Sequence, residues 1–174
     1  MATIITDLKE SFRRGNIYIQ LIYINVGVFI FTTLTGVILQ LFNRSLGRVF
    51  EWLELPASLP RFIIQPWSVL TYMFMHAGVL HILFNMLWLY WFGALFLNFF
   101  SARHLRGVYI LGGICGGLLY MTAYNIFPYF RPMTEYSFML GASASVLAIV
   151  AATAPPPIGN LTTRYVFSFL EPYA

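Results

Sequence analysis

Apolar residues occur in four long runs, and the stretches between the runs hold most of the charged residues. The runs cover residues 17–42, 78–100, 107–127 and 138–154. A helix needs about 20 mostly apolar residues to cross the roughly 30 Å of hydrocarbon in a bilayer, and the first three runs are long enough. The fourth run is marginal, because three consecutive prolines, Pro155, Pro156 and Pro157, stop it.

The composition places this pattern in a membrane. Of the 174 residues, 59% are hydrophobic and 9% are charged, whereas about a quarter of the residues in a soluble domain are charged. Inside hydrocarbon every backbone amide needs a partner within the chain, so the runs should form helices and not strands. The sequence therefore predicts an all-α polytopic membrane protein with four membrane helices and a lipid bilayer around them.

The basic residues lie at the ends of the runs and predict an orientation. Six Lys and Arg residues fall on the same side of the membrane as the N-terminus: Lys9, Arg13, Arg14, Arg103, Arg106 and Arg164. Four fall on the other side: Arg44, Arg48, Arg61 and Arg131. The positive-inside rule then favours a cytoplasmic N-terminus. No basic stripe with interleaved aromatic residues is present, so the net charge of +4 does not indicate a nucleic-acid partner.

The chain divides into a leader, a membrane domain and a tail. Residues 1–16 are predicted to form a cytoplasmic or interfacial leader, residues 17–154 an incomplete membrane domain, and residues 155–174 a tail of different character. The loop after the first run is long, and its segment 49–55 mixes apolar and acidic residues. That mixture is typical of a helix lying in the headgroup region.

His81 and Asn85 are the polar residues of the second run that need an explanation. They lie four residues apart and therefore share one helix face. A polar side chain inside a membrane helix is costly, which makes this pair a candidate functional site. The alternative is that both residues only form hydrogen bonds between helices.

A second candidate is Gly141-Ala142-Ser143-Ala144-Ser145, near the start of the fourth run. A serine at a helix N-terminus lies near free backbone amides, which can stabilise a developing oxyanion. The alternative is a small-residue packing surface, with Ser145 as a packing neighbour. Packing also explains the four glycines of the third run, Gly112, Gly113, Gly116 and Gly117, which follow two overlapping Gly-xxx-Gly spacings.

Both motifs together, in this order, resemble the rhomboid family of intramembrane serine proteases. Residues 67–93, with His76-Ala77-Gly78-Val79-Leu80-His81-Ile82-Leu83-Phe84-Asn85, look like that family's second membrane helix and its lead-in. The Gly141-Ala142-Ser143-Ala144 motif is similar to the start of its fourth helix. The family commonly has an arginine after the tryptophan of the first loop, whereas Ser68 follows Trp67 here.

The resemblance implies a helical bundle with four of the usual six membrane helices, and a role for each motif residue. Ser143 would be the nucleophile. Its backbone amide, His81 and Asn85 would form the oxyanion hole, and Gly141 would keep the approach to Ser143 open. The implied substrates are single-pass membrane proteins cleaved within the bilayer, and no metal or organic cofactor is implied.

The resemblance also implies a general-base histidine on a sixth membrane helix, and no histidine of this chain fits that role. His76 and His81 match other family positions, and His104 lies in a loop on the predicted cytoplasmic side. Only 31 residues follow Ser143, whereas two further spans need about 40. We therefore expect a truncation, a frameshift or an incomplete gene model, and a chain without hydrolytic activity.

Two other functions stay open at this point. A non-catalytic rhomboid-like protein would bind client transmembrane helices in the groove between its own helices. A transporter or channel would have only the pair His81 and Asn85 to support it, because no acidic residue lies in any span. The compact size and the absence of transit-peptide features favour a bacterial inner (cytoplasmic) membrane.

Overall fold

The computed structural model describes Phe12, residues 15–43 and residues 50–154. Within these residues six α-helices have both ends described: α1 Ile17–Leu41, α2 Leu59–Ile64, α3 Ser68–Thr71, α4 Val79–Phe96, α5 Ala102–Ile126 and α6 Ser143–Thr153. Three of them, α1, α4 and α5, are long and apolar enough to cross a membrane. The predicted all-α membrane fold is thus confirmed. Most of the predicted leader and all of the predicted tail lie outside the described residues.

The fourth predicted membrane helix is present as α6, but it begins later than the apolar run does. The first residues of that run form a short strand, β2 Phe138–Met139, which pairs antiparallel with β1 Leu55–Pro56. The prediction of helix over these residues was wrong. A positive φ of 117° at Gly141 is incompatible with a helix, so α6 starts after it and has 11 residues.

The prediction of an interfacial helix over residues 49–55 was wrong for the second half of that segment. Phe50 and Glu51 are helical, but the chain then turns and enters β1 at Leu55. Leu55 is fully buried, with Cδ2 only 2.7 Å from the place where a Cβ on Gly117 would lie. Pairing with β2 and burial against α5 therefore prevail over the local amphipathic pattern.

Side-chain hydrogen bonds hold the first loop onto the segment that leads into α4. The Gln65 Nε2 amide donates to the carbonyls of Glu51 and Glu54 at 3.2 and 3.1 Å. The Thr71 hydroxyl donates to the Leu53 carbonyl at 2.7 Å. The Trp67 indole, stacked on Trp52 with ring centroids 5.9 Å apart, donates to the Trp52 carbonyl at 2.8 Å. These bonds fix the loop without an arginine at position 68.

Helix α5 is the centre of the bundle because its glycines admit neighbours on two sides. A Cβ on Gly112 would overlap the Ala148 methyl of α6, and one on Gly116 would lie 2.5 Å from the Ala144 methyl. A Cβ on Gly113 would lie 2.5 Å from the end of Met73. Gly112 and Gly116 thus let α6 approach closely. Gly113 and Gly117, one residue further along, face the segment before α4.

Candidate active site

Ser143 is the first residue of α6 and lies at the end of the bundle where α4 begins and where α1 and α5 end. The residue is partly exposed. At a helix N-terminus the first backbone N–H groups have no partner within the helix, and the aligned peptide dipoles favour negative charge there. The start of α6 therefore supplies hydrogen-bond donors beside the serine hydroxyl.

Gly141 brings the serine and a histidine together. A Cβ at this position would lie 2.7 Å from His81 Nε2 and 3.9 Å from Ser143 Oγ, so both atoms border the open side of the glycine. The backbone has φ +117° and its N–H donates to the Tyr72 carbonyl at 2.9 Å. A side chain would clash with the imidazole and strain the backbone, which explains glycine here.

The tautomer of His81 follows from its hydrogen bond. The backbone N–H of Ala77 approaches His81 Nδ1 at 3.5 Å, a long bond in which Nδ1 is the acceptor. In a neutral imidazole the other nitrogen then carries the proton. His81 Nε2 can therefore donate a hydrogen bond on the side that faces Gly141.

Asn85 lies one turn along α4 from His81 and is buried. Its Nδ2 donates to the His81 carbonyl at 2.9 Å, a bond within α4 rather than between helices. An amide nitrogen has two N–H groups, so the second one stays available to another acceptor. Asn85 thus shares the His81 face, as the spacing predicted, and holds the helix beneath that histidine.

His76 belongs to the same cluster, although no role was predicted for it. Its ring lies 5.2 Å from the ring of His81 in an edge-to-face arrangement, and it is 8% exposed. Nδ1 donates to the Phe74 carbonyl at 3.3 Å, which leaves Nε2 as an acceptor. Nε2 has no hydrogen-bond partner within the described part of the chain. Burial, partly opposed by the Phe74 carbonyl and reinforced by His81, lowers the pKa of His76 to about 4.

His104 and Ser145 were not predicted to take part in the chemistry, and the expectation that His104 lies in a loop was wrong, since it lies in α5. His104 is near the start of α5, where Ser101 Oγ contacts its Nδ1 at 2.9 Å. Twelve residues of helix separate it from Gly116, which packs against Ala144, and that is about 18 Å along the axis. Ser145 is fully buried, with its Oγ 2.7 Å from the Cβ position of Gly113, so it contributes to packing.

Among the described residues, no three His, Cys, Asp or Glu side chains are grouped closely enough to hold a metal ion. The arrangement offers instead a serine hydroxyl, backbone N–H groups and an imidazole N–H around one open point. Such a set can bind and stabilise an oxyanion.

Comparison with known proteins gives one family. The model of the Rhomboid domain matches residues 64–163, a range that includes both motifs. RHOMBOID-like protein 7 of Arabidopsis thaliana is 28% identical over 99 residues, which are 57% of this chain and 28% of that protein. The match thus spans less than a third of the plant protein. No solved structure matches the chain significantly.

Proposed function

The chain belongs to the rhomboid family, and on this premise we propose that it carries the nucleophile and oxyanion hole of an intramembrane serine endopeptidase. Ser143 is the nucleophile. The observation that supports this most directly is the placement of Ser143 Oγ and His81 Nε2 around the open side of Gly141, at the start of α6.

The proposed chemistry starts with attack of Ser143 Oγ on a backbone carbonyl of a membrane-protein substrate. The carbonyl oxygen becomes an oxyanion, which accepts hydrogen bonds from the Ser143 N–H, from His81 Nε2 and from the second N–H of Asn85. A general base must accept the Ser143 hydroxyl proton on attack and return it to the leaving nitrogen. Collapse of the intermediate then breaks the C–N bond, releases the amine and leaves an acyl-enzyme, which water hydrolyses. Single-pass proteins are the proposed substrates, as the family resemblance implies, and a substrate helix must unwind to expose a carbonyl.

None of the chain's three histidines is proposed as the general base. His81 carries its proton on the nitrogen that faces the site, and a pKa of about 4 makes His76 a poor base at neutral pH. His104 is too far along α5. We expect a polypeptide of residues 1–174 to show no peptide hydrolysis, and labelling of the wild type by a fluorophosphonate, abolished in Ser143→Ala, would contradict this.

The proposed orientation places the site on the side of the membrane opposite the N-terminus of α1. With a cytoplasmic N-terminus, as the basic residues indicate, Ser143 faces the non-cytoplasmic side. A bacterial cytoplasmic membrane stays a prediction.

The oxyanion hole is testable without a general base. In a Cys115→Ala background, Ser143→Cys places a thiol where the hydroxyl lies, and its alkylation rate as a function of pH gives the thiol pKa. We expect that pKa to be about one unit or more below the ordinary value of about 8.5, because the helix N-terminus and His81 stabilise the thiolate.

Two histidine variants test whether the low thiol pKa comes from the proposed oxyanion hole or from any loss of a histidine. His81→Phe, added to Ser143→Cys, should raise the thiol pKa part of the way toward 8.5, because the helix N-terminus still stabilises the thiolate, whereas His104→Phe should leave it unchanged. A thiol pKa near 8.5 in Ser143→Cys that does not change with His81→Phe would contradict the proposal. The non-catalytic alternative, a protein that binds client helices, would then be favoured.

A further inference from the structure

Tyr72 connects α5 to the backbone of the candidate site. It begins the 3₁₀ turn Tyr72–Phe74, between α3 and α4, and is fully buried. Its backbone carbonyl accepts the hydrogen bond from the Gly141 N–H at 2.9 Å. Its phenol hydroxyl donates to the Gly113 carbonyl, in the middle of α5, at 2.6 Å. One residue therefore makes a bond to each of two elements that are otherwise far apart in sequence.

The glycines of α5 make room for this phenol. The Tyr72 hydroxyl lies 3.8 Å from the Cβ position of Gly116 and 3.6 Å from that of Gly117. A larger side chain at either place would crowd the ring or the hydroxyl. The glycine-rich helix is thus more than a surface for α6, since it also receives the tyrosine that bonds to Gly141.

We infer that Tyr72 is a positioning residue for Ser143. Gly141 has a positive φ of 117°, which is only one of the many backbone conformations open to a glycine, so a contact with its surroundings is needed to hold it there. The bond to the Tyr72 carbonyl supplies that contact, and the phenol fixes the carbonyl by anchoring the same residue on α5. Gly141 in turn determines how Ser143 Oγ and His81 Nε2 face each other. This inference rests on the proposed function for its consequence, and on the hydrogen bonds alone for its mechanism.

Tyr72→Phe removes the phenol hydroxyl and keeps the ring. Tyr109→Phe is the matched control, because Tyr109 is also fully buried and its hydroxyl also bonds to this segment, donating to the Met73 carbonyl at 3.4 Å. Tyr109 makes no described bond to Gly141 or to Tyr72. Both variants should therefore lose some thermal stability in detergent, whatever Tyr72 does for the site.

The first measurement is the hydrogen exchange of the Gly141 amide. We expect exchange about fivefold faster in Tyr72→Phe, in keeping with the loss of one hydrogen bond that restrains the segment, and unchanged in Tyr109→Phe. The second is alkylation of the thiol in the Ser143→Cys background. At pH 7 the rate should fall about threefold with Tyr72→Phe, as the thiol pKa rises, and should not change with Tyr109→Phe.

Each outcome decides a different point. Equal Gly141 exchange in Tyr72→Phe and the parent overturns the positioning role, even if the thiol pKa is low. Faster Gly141 exchange together with an unperturbed parent thiol supports the positioning role and contradicts the oxyanion hole. Equal effects of Tyr72→Phe and Tyr109→Phe on both measurements reduce Tyr72 to a general structural residue and overturn the inference.

Discussion

Helices α1 and α6 differ in a way that separates crossing a membrane from building a site. The longer one, α1, has 25 residues, of which Leu21, Asn25 and Thr32 are buried. The shorter one, α6, has 11 residues and also buries three, Ser145, Val146 and Ile149. Yet α6 starts with the proposed nucleophile, whereas α1 contributes no residue to the site. Length and hydropathy predict which segments enter the bilayer, and they say little about which segments pack tightly.

Small residues account for the difference. The methyl groups of Ala144 and Ala148 in α6 lie against Gly116 and Gly112, so the two backbones approach closely. On α1, by contrast, Gly27 has nothing within 4 Å of its Cβ position. In α1 the close contact with a glycine comes from the aromatic side chain of Tyr18, which packs on Gly93 of α4.

The largest loss of stability is expected from a substitution that breaks the contact between α5 and α6. Gly116→Leu places a side chain where the Ala144 methyl lies, and we expect the free energy of unfolding to fall by about 3 kcal/mol, since a tightly packed site cannot absorb the added volume. Gly27→Leu is the control on α1 and should change stability by about 0.5 kcal/mol or less. Equilibrium unfolding in mixed micelles of a mild detergent and SDS measures both, and equal losses would erase the contrast between the helices.

The next largest effect is a dependence of stability on pH, and we assign it to His76, which lies beside His81 of the candidate site. The pKa of His76 is lowered to about 4 from an ordinary 6.5, so the unfolded state binds more protons between these values. Stability should therefore fall as the pH drops from about 6.5 to about 4, by about 1–2 kcal/mol between pH 7 and pH 5.

Unfolding of His76→Gln at both pH values checks the assignment to His76, because this variant should lose most of the dependence. Glu54 acts in the opposite direction. Burial, with the nearby Glu51 charge, raises its pKa, so its contribution to stability is present at low pH and is lost as the pH rises through that raised value. Glu54→Gln should accordingly steepen the loss of stability at low pH. If His76→Gln leaves the dependence of stability on pH unchanged, the assignment to His76 is contradicted.

The smallest expected effect is on the attachment of α1. Asn25 Nδ2 donates to the Tyr109 hydroxyl of α5 at 3.2 Å, and hydrogen bonds between membrane helices contribute about 0.6 kcal/mol on average. Asn25→Leu should reduce stability by about that amount. The control is Thr32→Val, since the Thr32 hydroxyl bonds to its own helix, to the Val28 carbonyl at 2.9 Å. A loss several times larger in Asn25→Leu would show that α1 is held as firmly as α6.

Much of the fold could be predicted because membrane helices are a local property. The runs gave α1, α4 and α5 with ends displaced by a few residues, since hydrocarbon thickness and backbone hydrogen bonding decide them. The spacing also placed His81 and Asn85 on one face of α4. Such features depend on residues within a turn or two of each other.

What could not be predicted depends on partners distant in the chain. The β2 strand needs β1, more than 80 residues earlier, to form its hydrogen bonds. The burial of His76 beside His81 could not be predicted, because nothing near His76 in sequence indicates it. Tyr72 carried no signal at all, since its role follows from Gly113 and Gly141. The roles proposed for Ser143 and Gly141 come from the family resemblance, because periodicity alone does not indicate them.

The bond between Tyr72 and Gly141 cannot form until both residues have been synthesised. At roughly 5–20 residues per second, the ribosome needs several seconds to go from one residue to the other. In that interval α4 enters the membrane with His81 and Asn85 on its surface, before α6 exists to cover them. The nascent chain therefore passes through a state with exposed polar groups in a membrane helix, a state that insertion machinery or a membrane chaperone would have to shelter.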